Sequence, residues 1–145
     1  MNAPDWNPQD KPASLKGWVD MLLAETRRQF LSDGTHIEIF FLFNDDGLMN
    51  LAPISGMEKE EIIAGLKQTL RANDGYAYIH IVEAHTRAID CAAEADSLLL
   101  IAESRDGYSK AILNTVVMKG DEKCLVDPVE IDESQLDGCF IGMFT

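Results

Sequence analysis

Residues 76–108 read YAYIHIVEAHTRAIDCAAEADSLLLIAESRDGY, and this stretch decides the fold. Tyr76–Arg87 and Ser97–Glu103 are two runs rich in aromatic, β-branched and leucine residues, so both are predicted strands. Asp106-Gly107 is a tight-turn pair, and it leads directly into a third strand-like run, Tyr108–Lys119. A second turn at Lys119-Gly120-Asp121 precedes a weaker run, Lys123–Val129. Tight turns between successive strands make an antiparallel meander.

Working outward toward the N-terminus, Ser55 and Glu58 have capping-box spacing ahead of Ile62, Ile63, Leu66 and Leu70, which predicts a helix ending near Asn73-Asp74-Gly75. Before it, HIEIFFLF and Leu48–Ile54 flank Asn44-Asp45-Asp46-Gly47, a hairpin signal that folds the second run back on Ile37–Phe43. Earlier still, Leu15, Trp18, Val19, Leu22 and Leu23 make one apolar stripe behind Ser14, a residue suited to a helix N-cap. The spacing predicts a helix over Leu15–Leu31, stopped at Ser32-Asp33-Gly34. Pro4, Pro8 and Pro12 mark residues 1–13 as a loose lead-in in which Trp6 alone is suited to dock, leaving 14–145 as a single domain. The expected fold class is α+β: an α-β-β-α-β-β-β two-layer domain, mostly antiparallel, with both helices on one face of the sheet.

Leu98-Leu99-Leu100-Ile101 and Phe40-Phe41-Leu42-Phe43 are apolar on both strand faces, so the second face of the sheet needs cover. Two sources are open: the segment Cys139–Phe144 folding back, or a second copy of the chain. A homodimer is the expected form.

Charge narrows the choice of partner. The 145 residues carry 25 acids against 12 bases, a net charge of −13, which repels phosphate backbones and anionic membrane surfaces. No nucleic acid and no membrane is expected as a partner. The acidity is densest between Gly120 and Gly138, in Asp121, Glu122, Asp127, Glu130, Asp132, Glu133 and Asp137. Such a segment suits a basic partner; its plainer reading is a solvated face. Cys91, Cys124 and Cys139 are odd in number and widely spaced, which fits reduced thiols in a cytoplasm rather than a disulfide framework or a CxxC site. No apolar run approaches a bilayer span, and the first residues do not read as an export signal.

Candidate chemistry gathers in the opening stretch. Glu83, His85 and Arg87 share one strand face, and a Glu–His pair with an arginine beside it is a set suited to proton transfer on an anionic substrate. His80 and His85 stand five apart, on opposite faces of a regular strand, so a metal site needs a bulge between them. Cys91 sits between Asp90 and Glu94, acids that oppose thiolate formation, and Ser109 lacks the strand-to-helix elbow of a serine nucleophile. No glycine-rich phosphate loop is present, and no cofactor or metal is expected.

The run Val82-Glu83-Ala84, taken with Leu99–Glu103 and Arg105-Asp106-Gly107, resembles a group of short bacterial and phage-encoded proteins of unknown function. Those read V-x-E-A-W, a loop, and an apolar strand closing in A-E-D-R-D-G; here His85 takes the aromatic position and Ser104 an acidic one. The likeness covers Tyr76 to Tyr108. It implies that Glu83, Ala102-Glu103 and Arg105-Asp106-Gly107 sit together where two adjacent strands meet, with Glu83 near Arg105 as a register-fixing charge pair. The function expected overall is a small, acidic, cytoplasmic, non-catalytic protein-binding or homodimerising module. The alternatives are a hydrolase using Glu83 and His85, with or without a metal, and an acidic DNA mimic that inhibits a basic protein.

Overall fold

A computed structural model describes residues 4–54, 58–85 and 96–131. Helix α1 spans Lys11–Asp33 and starts earlier than the apolar stripe predicts. Asp10 is its N-cap, the carboxylate accepting from Ala13 N, and Pro12 falls in the first turn, where a missing N–H breaks no helical bond. The proline that reads as a barrier to helix is thus part of its start. Ser14, expected as the cap, is buried inside the helix, where its Oγ donates to Asp10 O and accepts from Asn7 N. Gly34, at φ 76°, ends the helix as its N–H donates to Phe30 O.

The hairpin forms as predicted, from β1 (Ile39–Asn44) and β2 (Gly47–Pro53). Helix α2 (Lys59–Ala72) follows, with Glu58 at the N-cap position; Ser55, the expected capping partner, lies outside the described residues. Then come β3 (Gly75–His85), β4 (Asp96–Ser104) and β5 (Ser109–Lys119). The single run expected over Lys123–Val129 is two strands, β6 (Glu122–Leu125) and β7 (Val129–Ile131), both along the same edge of β5. Pro128 stands in the gap between them, where a residue without an N–H interrupts the ladder.

All paired strands are antiparallel, in the order β2-β1-β3-β4-β5-β6, with β7 also on β5. The α+β class is as expected. The helices, expected together on one face, divide between the two. On the first face, Leu15, Trp18, Val19, Leu22 and Phe30 of α1 pack with Phe43, Ile79, Ile81, Leu98, Leu100 and Ile112. On the second, Leu66 and Leu70 of α2 pack with Phe40, Leu42 and Tyr78. The connection explains the split: β2 and β3 both run antiparallel to β1, hence parallel to each other, and α2 joins them as a crossover. The handedness of such a crossover selects the face, whereas a helix's own apolar stripe says only that one side is buried.

Leu99, Ile101, Ala111 and Leu113 form a further cluster on the second face, and Leu99 and Ile101 are completely buried within the single chain. A second copy is therefore not required to hide them. Among the described residues no helix is long and apolar enough to cross a membrane.

Candidate functional site

The residues singled out for chemistry fall at two ends of the sheet. In the β3–β4 ladder Glu83 stands opposite Leu98, while Ser104 stands opposite Ala77. Antiparallel pairing sets the end of one strand against the start of the next, so Glu83 and Arg105 are kept apart and the expected charge pair does not form. Glu83 instead holds the loop after α1: Thr35 Oγ1 donates to its Oε1 at 2.7 Å, and the His36 backbone N–H donates to the same oxygen. His85 closes β3 opposite Asp96, and the ladder shows no register shift between His80 and His85. Arg87, Asp90 and Cys91 lie outside the described residues. His80 is stacked on Phe40 with centroids 3.9 Å apart, and its Nε2 is 2.7 Å from Glu38 Oε2. Among the described residues no three His, Cys, Asp or Glu side chains are grouped to hold a metal.

Arg105 belongs to a polar cluster at the other end of β3. Its Nη2 donates to Asp45 Oδ1 at 2.8 Å, and Lys11 Nζ donates to the same oxygen at 2.8 Å. The Lys11 ammonium, opposed by slight burial and joined by the Arg105 guanidinium, holds the Asp45 carboxyl below the usual range. Both cations also lie over the Tyr76 ring. Ser104 Oγ donates to Asp106, and the Tyr76 hydroxyl donates to Asp106 Oδ2 at 2.7 Å. Burial works against ionisation of Asp106, but these two hydroxyls, joined by the backbone N–H groups of Asp106 and Tyr108, outweigh it and lower its pKa. The cluster fastens the N-terminal segment and the Asp106-Gly107 turn to the sheet.

Burial, helped by Asp106, pushes the Tyr76 phenol up to about 12. A raised acid favours the fold while it is neutral, so this contribution is complete below pH ~10 and is lost as pH rises through ~12. Comparing the stability of the wild type with Tyr76→Phe should show the difference falling by about 3 kcal/mol across that window.

Open, partly apolar surface lies elsewhere, on the hairpin side of the first face. Helix α1 has its closest backbone approach to β4 and β6, and it reaches the first face of β1 through side chains, Trp18 meeting the edge of the Phe43 ring at 5.4 Å. Trp6 covers the Phe43 end of that face, stacking on the ring at 5.4 Å. At the other end, between α1 and the start of β1, lies a groove of about 270 Å³. Its floor is Leu22, Ile39, Phe41 and Ile81, and its rim is formed by polar residues including Glu25, Gln29, Asp33 and His36. Ile37 on the rim is 62% exposed, and Leu51, paired with Phe41, is 47% exposed. Glu83 stands behind this rim and holds two of its residues, Thr35 and His36.

None of these groove residues except Glu83 stands out in the sequence as a site. Ile37 reads in the sequence as the first residue of the strand, whereas β1 starts at Ile39 and leaves it outside the ladder. Comparisons with protein-family models, with curated proteins and with solved structures return no match.

Proposed function

We propose that this chain is a non-catalytic protein-binding module of a reducing, cytoplasmic setting, and that its contact surface is the groove between α1 and β1. The observation that carries the reading is an apolar groove of Leu22, Ile39, Phe41 and Ile81, with Phe41 half-buried, beside exposed Ile37 and edged by Glu25 and Asp33. A volume of about 270 Å³ suits one large side chain better than a whole cofactor. The partner is a segment with one aromatic or aliphatic anchor flanked by lysine or arginine. Its basic residues meet the acidic rim, and the net charge of −13 steers it in from a distance. Glu25 is partly committed to Arg28, which leaves Asp33 as the principal rim carboxylate for the partner's cations, with Glu83 behind the rim already accepting from Thr35 and His36.

Anisotropy titrations with two labelled peptides test this, one with tryptophan between lysines and one with tryptophan between glutamates. The lysine peptide is expected to bind at least about tenfold more tightly and to weaken as salt rises. Ile37→Lys, which places a cation on the rim at an exposed position, should weaken the lysine peptide by about tenfold. Equal binding of both peptides, or indifference to Ile37→Lys, contradicts the assignment.

A further inference from the structure

We infer that β2 is a dimerisation edge, on which a second copy of this chain adds its own β2 antiparallel to form one continuous sheet. This goes beyond the groove: it uses the side of the hairpin, not the floor between α1 and β1.

Among the described residues β2 has one neighbour, β1, so its outer side is a sheet edge. Exposed edges are ordinarily guarded by charge, because their free N–H and C=O groups otherwise recruit another strand. The edge at the far end of this sheet follows that rule, with Glu122 and Lys123 in β6 and Glu130 in β7. By contrast β2, GLMNLAP, has no charged residue, in a chain of which 26% is charged. It also presents Leu48 and Leu51, 40% and 47% exposed.

Strand parity shows what the edge offers. Ile54 N donates inward to Glu38 O at 2.9 Å, so alternation along the strand points the Ala52 and Asn50 amides toward β1 and the Leu51 amide outward. Pro53 occupies an outward position, where its missing N–H takes nothing from the β1–β2 ladder but offers an added strand no donor, which confines the pairing to the stretch about Leu51. Leu51 thus supplies an outward acceptor, and its outward N–H, which in the single chain donates to Asn50 Oδ1 at 2.9 Å, has to exchange that side-chain partner for the second copy's carbonyl. In an antiparallel pair about a two-fold axis it meets its own copy, and the two residues exchange both backbone hydrogen bonds.

Charge favours a second copy meeting edge to edge. Two chains of −13 repel one another, and contact through the uncharged strand keeps their carboxylates apart at the closest approach. The faces of the sheet offer less, since Leu99 and Ile101 on the second face are already fully buried within one chain. The side chains of Leu48 and Leu51 lie on the first face beside the edge and are brought against those of the partner copy.

Light scattering coupled to size exclusion, on the full chain, is expected to give twice 16.1 kDa at micromolar concentration. The dimer should tighten as salt screens the repulsion between copies. Leu51→Lys, an edge charge at an exposed position, should give a monomer that still unfolds cooperatively, at a melting temperature that no longer depends on concentration, while Val117→Lys on β5 should remain dimeric. In the wild type, hydrogen exchange at the Leu51 amide should slow as concentration rises, a readout that does not depend on any variant folding. A wild-type monomer, or a dimer whose Leu51 amide exchanges at a concentration-independent rate, overturns the assignment. Peptide binding by the groove is read separately, so failure of either leaves the other standing.

Discussion

Gly75→Ala is expected to lower the unfolding free energy by about 3 kcal/mol. Gly75 opens β3 immediately after α2, and between them the chain turns through Asn73 and through Asp74 at φ 51°. A Cβ at Gly75 would come within 2.7 Å of Leu70 Cβ and 2.9 Å of Leu70 Cα. The second of these is a backbone atom, so no change of rotamer relieves the clash. Leu70 is itself buried against Phe40 and Tyr78, so the helix end has to move off the sheet and loosen the second-face cluster. Urea denaturation checks this: the midpoint should fall while the slope holds. Gly65→Ala is the matched control within α2, where an added Cβ meets nothing within 4 Å. There the change should stabilise by about 0.5–1 kcal/mol, the helix preference of alanine over glycine. Two glycines ten residues apart are thus expected to respond with opposite sign.

Removing the indole of Trp6 should cost nearly as much, about 2–3 kcal/mol for Trp6→Ala. Its ring stacks on Phe43 at 5.4 Å, meets the edge of Tyr76 at 5.9 Å, and donates from Nε1 to Asp45 O at 2.8 Å. It also lies across Gly47, where a Cβ would stand 3.1 Å from Trp6 Cγ. Alanine uncovers Phe43, which is otherwise fully buried, and unfastens the segment leading into α1 beside the Lys11–Asp45–Arg105 contacts. Trp6→Phe separates the contributions: it keeps most of the stacking and loses the indole hydrogen bond, so about 1 kcal/mol is expected. The ordering Trp6→Ala below Trp6→Phe below wild type, by equilibrium denaturation, supports the packing account; equal stability of all three contradicts it.

These residues also show what could be read from the sequence. The hairpin around Asp45-Asp46-Gly47 and the meander from Tyr76 to Lys119 were legible because strand periodicity and turn chemistry are local, and each element folds with its sequence neighbour. The start of α1 is less legible, because Pro12 reads as a barrier to helix although a proline in the first helical turn breaks no hydrogen bond. The face chosen by α2 depends on a crossover around β1, a property of three strands and not of the helix sequence. Glu83 was placed near Arg105 by proximity in a motif, whereas the ladder register sends Glu83 to Thr35 and His36, 48 and 47 positions away. The groove follows from how α1 passes the start of β1, and no pattern within Ile37, Ile39 and Phe41 reports the path of a helix. Of the proposed surfaces, only the uncharged run GLMNLAP was fully visible in the chain itself.

The central claim is that the groove between α1 and β1 receives an apolar, base-flanked segment of a protein partner. Amide chemical-shift mapping during titration with the lysine-flanked tryptophan peptide tests it most directly. The largest changes are expected at Gln29, Asp33, His36, Ile37, Ile39 and Phe41, with the Tyr76–Asp106 end of the sheet unmoved. Shifts confined to the Asp106-Gly107 end, or spread evenly over the acidic surface, contradict it.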